Sequence, residues 1–364
     1  MTYATLRTIA IALALACCAF GQPPTSAPTP QPVASQKPHV QRTLNLLASS
    51  AEPLGQLSGQ NVGHSNLEAD AKYQKYIRKF GSRVAHTPAI VSVDYGWDKI
   101  PKSLRSTNRL LIEHANAGGL VTISMHPPNP WRNSDSHDTK IGAMSDLLQP
   151  GTRAYKGWRR DLDRIAAGLA ELRDAGVVVL WRPLHEMNGG WFWWCPEHNG
   201  EWLKPAEYRA LWRDMFYYFT REKKLDNLLW VYSAAVQKGD EQKPAIYYYP
   251  GDAYVDVVGL SWYLDDIKEI DLHGSYSQLA ALGKPMGLNE CGPSSQQDGT
   301  FDCTQLLTAF REYEQLRFFV FWHSWPDAEM AFADIPSAKA LLANPRIISR
   351  EDLSAAKQAE RASE

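Results

Sequence analysis

One stretch of the chain reads Val177-Val-Val-Leu-Trp-Arg-Pro-Leu-His-Glu186. It opens on four aliphatic residues without a polar interruption, and a segment with helical periodicity, Ala154–Ala175, precedes it. A continuous apolar run of this length is typical of a parallel strand that helices cover on both faces, whereas a strand with one wet face alternates. The stretch therefore predicts a buried parallel strand with polar side chains at its carboxyl end.

Seven further candidate strands lie along the chain, and several of them are continuous apolar runs as well. They are Gln56–His64, Ala89–Tyr95, Leu120–His126, Leu228–Ser233, Val255–Tyr263, Pro285–Glu290 and Phe318–Trp325. Between the runs lie helical patterns, most clearly Asp70–Phe80, Ser103–Ala117, Pro205–Arg221 and Cys303–Gln315. Strand and helix alternating eight times predicts an α/β fold of the (β/α)8 TIM barrel type. A doubly wound open sheet is the alternative, but a Gly-rich phosphate loop does not follow the first run.

Nearly every predicted strand ends in an aromatic residue, a histidine or a carboxylate. These strand ends are His64, Asp94, Tyr95, His126, His185, Glu186, Tyr263, Glu290, Trp322 and Trp325. Active sites of such barrels lie at the carboxyl ends of the strands. We therefore expect an active site at this end of the barrel.

Two of these side chains, Glu186 and Glu290, end the fourth and the seventh predicted strands, which face one another across the barrel mouth. Glycoside hydrolysis needs such a pair, one acid for the leaving oxygen and one carboxylate as nucleophile or base. Trp191 and Phe192 give Glu186 drier surroundings, so we predict Glu186 as the acid and Glu290 as the nucleophile. Retention of configuration would place the two carboxyl groups about 5–5.5 Å apart.

Other chemistries find no support in the sequence. His185-Glu186 begins like a zinc-protease motif, but Gly189 stands where the second histidine is required. We therefore expect no metal and no cofactor. The net charge of the 364-residue chain is −2 and basic residues form no block, which argues against a nucleic-acid partner. The 13 tryptophans are many for a chain of this size and suit a site that stacks on sugar rings.

The amino-terminal residues predict export. Arg7 is followed by an apolar run, Ile9–Phe20, of the length of a secretory signal, and a Pro/Ser/Thr-rich linker follows it. We assign residues 1–21 to a signal peptide, 22–42 to the linker, 43–355 to the catalytic barrel and 356–364 to a polar tail. A lipid anchor at Cys17 or Cys18 is the alternative to cleavage after residue 21.

Three cysteines lie outside the predicted signal, at positions 195, 291 and 303. In an oxidising compartment Cys291 and Cys303 could close a 13-residue loop by a disulfide. Cys195 would then be left unpaired.

The segment Trp181–Trp194, which contains Glu186 and the aromatic cluster, resembles the acid/base signature of glycoside hydrolase family 26. The best known members of this family are β-mannanases, and the resemblance extends over about residues 54–350. It implies a retaining mechanism with Glu186 as acid/base and Glu290 as nucleophile. Cys195 departs from the family pattern, which commonly has Gly there.

The resemblance also implies roles for further side chains. His126 and His185 would bind sugar at the cleavage subsite, Tyr263 would hold the nucleophile, and Trp191 and Trp322 would stack on sugar rings with Phe192 nearby. The loop that follows His126 is rich in proline and could bring Trp131 to a neighbouring subsite. We expect Trp193 and Trp194 to pack beneath the site.

The expected function is that of an exported endo-β-1,4-mannanase acting as a monomer on mannan, galactomannan or glucomannan. A family member that cleaves mixed-linkage β-glucan or β-1,3-xylan would use the same residues, and the sequence leaves this choice and endo or exo action open. A non-catalytic carbohydrate-binding barrel is the alternative from another class. It predicts the loss of one carboxylate, and both are present.

Overall fold

The computed structural model describes residues 37–49, 55–263, 266–294 and 300–363. The predicted signal peptide and residues 22–36 of the predicted linker lie outside the described residues. Among the helices of the described ranges, none is long and apolar enough to cross a membrane.

Within these ranges, eight parallel strands form a closed barrel. The strands are β1 Gln56–His64, β2 Ile90–Trp97, β3 Leu120–His126, β4 Val179–Arg182, β5 Leu228–Ala235, β6 Val257–Tyr263, β7 Met286–Gly292 and β8 Leu316–Phe321. Each strand pairs with the next, and β8 pairs with β1, so that Phe318 lies opposite Leu57. The predicted (β/α)8 barrel is thereby confirmed.

Helices cover the outside of the barrel. The α-helices are α1 Pro38–Ala48, α2 Ala69–Tyr73, α3 Phe80–Val84, α4 Arg105–Asn116, α5 Arg153–Asp174, α6 Pro205–Tyr217, α7 Ser275–Ala280, α8 Leu306–Glu312, α9 Ala338–Leu342 and α10 Arg350–Ser363. Two π-helical segments, Gln74–Lys79 and Tyr218–Glu222, continue α2 and α6. Short strands also occur at Glu197–His198, Glu201–Trp202 and Ile347–Ile348.

The longest helix, α5, shows why these segments are helical. Thr152 caps its first turn by accepting a hydrogen bond from the Tyr155 N–H through its side chain. Its buried residues recur every three or four positions, which places one apolar stripe against the barrel. These buried residues include Trp158, Leu162, Ile165, Leu169 and Leu172.

Helix α1 closes the amino-terminal end of the barrel. Val40 and Leu47 of this helix are fully buried and belong to one apolar cluster with strand residues such as Leu57 and Leu229. Pro38 stands in the first turn, where its missing N–H costs no hydrogen bond. The helix takes in residues 38–42, the last part of the predicted linker.

Strand β4, Val179–Arg182, is shorter than the predicted run Val177–Glu186. β4 ends at Arg182 because Pro183 has no N–H to continue the ladder, and the following backbone turns away. The last predicted strand also ends early, at Phe321, and Trp325 lies beyond it in a turn that bridges to Ala328. Both corrections concern the loops at the carboxyl end of the barrel, where the polar strand ends were predicted.

The predicted disulfide is wrong. Cys195, Cys291 and Cys303 are all free thiols in the structure, and all three are buried. Cys291 lies within β7, whereas the Cys303 sulfur lies 3.2 Å from the hydroxyl of Ser337. The loop between them is therefore not closed by a covalent bond.

Candidate active site

A cleft of 680 Å³ opens at the carboxyl ends of the strands. Both predicted catalytic carboxylates line it, together with five of the seven predicted substrate-binding residues. The lining residues are His64, Trp97, His126, His137, Glu186, Trp191, Phe192, Lys238, Tyr263, Glu290, Pro293, Ser294, Trp322, His323, Trp325 and Met330.

Glu186 stands on a tight turn four residues beyond the end of β4. Its φ is 53°, and that of Leu184 is 45°, so both residues have left-handed backbone conformations that cost about 1 kcal/mol or more in a residue with a side chain. Two hydrogen bonds hold the turn. The Glu186 N–H donates to the Ser233 carbonyl at 2.8 Å, and the Gly189 N–H donates to the Glu186 carbonyl at 3.0 Å. The acid is therefore placed by a fixed loop and not by the pleat of the sheet.

Trp191 covers the side of Glu186. Its indole Nε1 donates to Oε2 of the carboxyl group at 3.2 Å. The ring lies so close to the backbone of Gly189 that a Cβ at that position would be 2.1 Å from the nearest ring atom. Gly189 thus permits a flat aromatic surface to lie beside the acid.

Glu290, within β7, is buried and receives two hydrogen bonds. Arg182 Nη2 donates to Oε2 at 2.6 Å, and the Tyr263 hydroxyl donates to Oε1 at 2.7 Å. Burial and then the charge of Glu290 raise the pKa of Tyr263 well above its usual range, so its hydroxyl keeps its proton. Donors on both oxygens, one of them a guanidinium, stabilise the ionised carboxylate.

The two carboxyl groups lie close together. One oxygen of Glu186 and one of Glu290 lie within 4.8 Å of each other. Burial, and then repulsion by Glu290, raises the pKa of Glu186 to about 7. Glu186 can therefore hold a proton close to neutral pH beside Glu290, and acid-assisted bond cleavage needs such a proton donor.

His126 is held from behind by a buried carboxylate. Its Nδ1 lies 2.7 Å from Asp94 Oδ2, and the Ser124 hydroxyl donates to the same oxygen at 2.8 Å. Burial alone would raise the pKa of Asp94, but the adjacent His126 holds it well below its usual range. The Nδ1 edge of His126 is therefore occupied, and Nε2 is the nitrogen that can meet a ligand in the cleft.

Two predicted substrate-binding residues lie outside the cavity wall formed by the described residues. His185 is completely buried, packs edge-on against His126 at 4.6 Å, and lies beneath Glu290 with Nε2 3.9 Å from Oε2. Trp131 donates through Nε1 to Asp146 at 3.2 Å and packs against Trp193. Neither ring lines the cavity, and the predicted sugar contacts of His185 and Trp131 stay predictions.

The other aromatic residues of the signature segment fall into two groups, as the sequence predicts: Trp193 and Trp194 pack beneath the site, and Phe192 lines the cleft. Trp193 and Trp194 are fully buried, and their indole N–H groups donate to the carbonyls of Pro127 and His185. Phe192 stacks on Trp194 with ring centroids 4.2 Å apart and presents its edge to the cleft. The buried pair forms a rigid base under the lining residues.

Several lining and supporting residues were missed at the sequence level. Trp97 is 37% exposed and lies over His126 with ring centroids 4.3 Å apart. Trp325, which the sequence indicated only as a strand end, is 41% exposed at the cleft edge. Trp97 was missed because the second strand was ended at Tyr95, two residues too early. Arg182 carried a usable signal, since an arginine inside an apolar strand requires a buried counter-charge.

The chain was compared with known proteins. The model of "Glycosyl hydrolase family 26" matches residues 32–352. A mannan endo-1,4-beta-mannosidase of Bacillus subtilis is 31% identical over 96% of this chain and 97% of its own length. A mannan endo-1,4-beta-mannosidase A and B of Caldalkalibacillus mannanilyticus is 38% identical over 65% of this chain, and the match spans 47% of that longer protein.

A solved structure of a Bacillus subtilis mannanase superposes on this chain with a TM-score of 0.76 at 31% identity. The superposition covers 88% of this chain and 96% of that one. The resemblance first seen in residues 181–194 thus extends across the barrel. Sequence and fold agree that the chain belongs to glycosyl hydrolase family 26.

Proposed function

We propose that this chain is a retaining endo-β-1,4-mannanase that cleaves mannan, galactomannan or glucomannan. The observation that carries the proposal is the arrangement of Glu186 and Glu290, with oxygens within 4.8 Å of each other and the pKa of Glu186 raised to about 7. The family membership and the names of the two relatives support β-mannan as the substrate class.

In the first chemical step, Glu290 attacks the anomeric carbon while Glu186 donates its proton to the departing glycosidic oxygen. The C–O bond to the leaving sugar breaks as the bond to the Glu290 carboxylate forms, which gives a covalent glycosyl ester. Esterification removes the negative charge that raises the pKa of Glu186, so Glu186 becomes a stronger acid and remains ionised after giving up its proton. It can then take a proton from water, which attacks the ester and releases the sugar.

The short separation favours retention of configuration. Retaining enzymes place their carboxyl groups about 5–5.5 Å apart, whereas inverting enzymes leave about 6.5–9.5 Å for a water molecule. The nearest oxygens of Glu186 and Glu290 lie within 4.8 Å of each other, which agrees with the shorter of these two separations. Proton NMR of the first products before mutarotation tests this step: we expect the β-anomer, and an initial α-anomer would exclude the mechanism.

The walls of the cleft suit a neutral sugar chain. Trp97, Trp191 and Trp322 present aromatic surface to the cavity, and pyranose rings stack their C–H faces on such surfaces. His126 and Tyr263 offer polar atoms between these surfaces. We assign His126, Tyr263, Trp191, Trp322 and Phe192 to substrate binding.

The substrate class is tested with a panel of polysaccharides. Reducing-sugar release from β-mannan, barley β-glucan and β-1,3-xylan should be greatest on mannan, and absence of activity on mannan would reject the proposal. The size distribution of early products distinguishes endo from exo action. A mixture of oligosaccharides is expected for endo cleavage, and a single short product would indicate exo action.

The two carboxylates are tested separately. Glu290→Ala should lower turnover by about 10⁴-fold or more, while binding of mannan oligosaccharides persists. Glu186→Ala should lose activity on mannan but retain much more on an aryl glycoside with an acidic phenol, because such a leaving group needs no proton. A barrel that binds sugar without catalysis would show binding and no hydrolysis in the unaltered protein.

We further propose that the protein is exported and acts as a monomer. This part rests on the sequence of residues 1–21, with a lipid at Cys17 or Cys18 as the alternative. Mass spectrometry of the mature amino terminus distinguishes cleavage after residue 21 from acylation. Light scattering of the purified protein measures its oligomeric state.

A further inference from the structure

A second cluster of potential ligands lies at the edge of the cleft, apart from the carboxylate pair. It consists of His64 at the end of β1, Glu68 one helical turn later, and His323 just after β8. One nitrogen or oxygen atom from each residue lies within 4.8 Å of the others. The catalytic steps described above use none of the three side chains.

The atoms in question point toward one another. His323 Nε2 lies 3.3 Å from Glu68 Oε1, and His64 Nε2 lies 3.9 Å from the same oxygen. Zinc binds imidazole nitrogens and carboxylate oxygens at about 2.0–2.2 Å, so two ligands of a tetrahedral ion stand about 3.3 Å apart. The separation between His323 and Glu68 matches this value. The longer separation between His64 and Glu68 requires a small movement of the partly buried His64 side chain.

The hydrogen bonds behind His323 leave the correct nitrogen for a metal. The Asn61 side-chain oxygen accepts a hydrogen bond from the Gly63 N–H at 2.7 Å, and the His323 Nδ1 lies 2.7 Å from the same oxygen. Nδ1 must therefore carry the hydrogen, and Nε2 presents a lone pair toward Glu68.

Glu68 is oriented by an outer partner, whereas the contact behind His64 is longer than a hydrogen bond. His64 Nδ1 lies 3.9 Å from Asp94 Oδ1, so a carboxylate stands behind the ring on the side away from Glu68. Lys72 binds the other oxygen of Glu68 at 2.9 Å and also donates to the Ser324 carbonyl. Outer partners of this kind fix ligand orientation in zinc sites. The charges of Glu68 and Asp94 exceed that of Lys72, so the pocket is net negative.

We propose that His64, Glu68 and His323 bind one zinc ion, with the two Nε2 atoms and Glu68 Oε1 as ligands. Two histidines and a glutamate are a donor set that suits zinc, and water completes the tetrahedron. The ion would join the loop after β1 to the loop after β8 beside Trp97 and Trp322, whose rings contact His64 and His323. Zinc binding should therefore raise the thermal stability of the protein.

The test uses full-length, untagged protein treated with a chelator and then dialysed. Isothermal titration with ZnCl₂ should show one equivalent bound per chain, and the melting temperature should rise by several degrees. Glu68→Gln, which keeps the shape of a partly exposed side chain, should weaken zinc binding at least tenfold. His323→Ala should do the same, and circular dichroism shows whether each variant is folded.

Two control variants locate the ion. His137→Ala removes a cleft-lining histidine outside the cluster, and Glu186→Gln removes a charge from the second group of close ligand atoms, His185, Glu186 and Glu290. Both should bind zinc as the unaltered protein does. The proposal is overturned if the unaltered protein binds no zinc, if Glu68→Gln binds it equally well, or if Glu186→Gln abolishes binding.

Discussion

Arg182 and Glu290 form an ion pair beneath the cleft, with Nη2 2.6 Å from Oε2 and both side chains almost fully buried. The two residues lie on β4 and β7, on opposite sides of the barrel. Arg182 reaches across the barrel interior, so the pair connects the two strands that carry or precede the proposed catalytic residues. It both neutralises a buried charge and fixes the position of the nucleophile.

Arg182→Met should therefore damage stability and activity together. Removing one partner of a buried pair costs about 3–5 kcal/mol of the free energy of unfolding, because the other charge stays buried without compensation. Urea unfolding measures this loss, and mannan hydrolysis should fall by about 100-fold or more. Arg159→Met is a matched control, since Arg159 pairs with Asp214 between α5 and α6, away from the cleft. Full activity of Arg182→Met would show that Glu290 needs no such partner.

The activity should decline as the pH rises through about 7. Glu186 must hold its proton to assist the leaving group, and burial, followed by repulsion from Glu290, raises its pKa to about 7. The measurement is kcat/KM on mannan between pH 4 and 10, which reports ionisation in the free enzyme. In Glu186→Ala this alkaline decline should disappear with an aryl glycoside substrate. A decline that persists there would belong to another group.

The same proton affects stability. The pKa of Glu186 is about 7 in the folded protein and 4.5 in the unfolded chain, so the folded state binds more protons between these values. Its contribution is complete below pH 4.5 and is lost as the pH rises through 7. Glu186→Gln carries no such proton, so its stability relative to the unaltered protein should be about 2–3 kcal/mol higher at pH 8.5 than at pH 5. Urea unfolding measures the difference in free energy of unfolding between the variant and the unaltered protein. The same difference at both pH values would contradict the raised pKa of Glu186.

Gly189→Ala should displace Trp191 from the acid. The added Cβ would lie 2.1 Å from the indole ring, so the ring must move and its hydrogen bond to Glu186 must break. We expect kcat/KM on mannan to fall by about 10–100-fold with little loss of stability. Gly157→Ala in α5 is the control, because its nearest contact would be 3.4 Å and its backbone is helical. Equal activity of the two variants would remove Trp191 from the proposed site.

The three buried cysteines should resist alkylation in the native protein. Burial raises the pKa of Cys195 and Cys303 to about 12, so the reactive thiolate is rare at pH 8. Peptide mapping after iodoacetamide treatment should find positions 195, 291 and 303 unlabelled in the native state and labelled in urea. A peptide that joins Cys291 to Cys303 by a disulfide would contradict the structure.

The fold could be predicted in some detail because a parallel barrel repeats one simple pattern. β1 and β3 begin and end at the predicted residues. β4 does not, because an apolar run shows where a segment is buried and not where its hydrogen-bond ladder ends. Pro183 was visible in the sequence, but the left-handed turn at Leu184 and Glu186 depends on hydrogen bonds to β5.

The sequence could identify those site residues that end a predicted strand, but not the contacts between them. Glu186 and Glu290 could be selected because both end predicted strands that face one another. Asp94 was noted as a strand end, yet its contact with His126 joins residues 32 positions apart and becomes visible only when β2 and β3 are paired. His185 was also named as a strand end, but its burial against Glu290 becomes visible only in the folded barrel.

The pairing of β1 with β8 has a consequence for how the chain folds. Leu57 meets Phe318, so these contacts join segments made at nearly opposite ends of synthesis. Folding slows as the sequence separation of native contacts grows, because loop entropy is lost before such contacts stabilise the chain. The edge of β1 that β8 covers therefore stays unpaired until the last barrel strand is available for pairing. During that interval, protection of this edge from other chains would govern the yield of active protein more than the stability of the finished barrel.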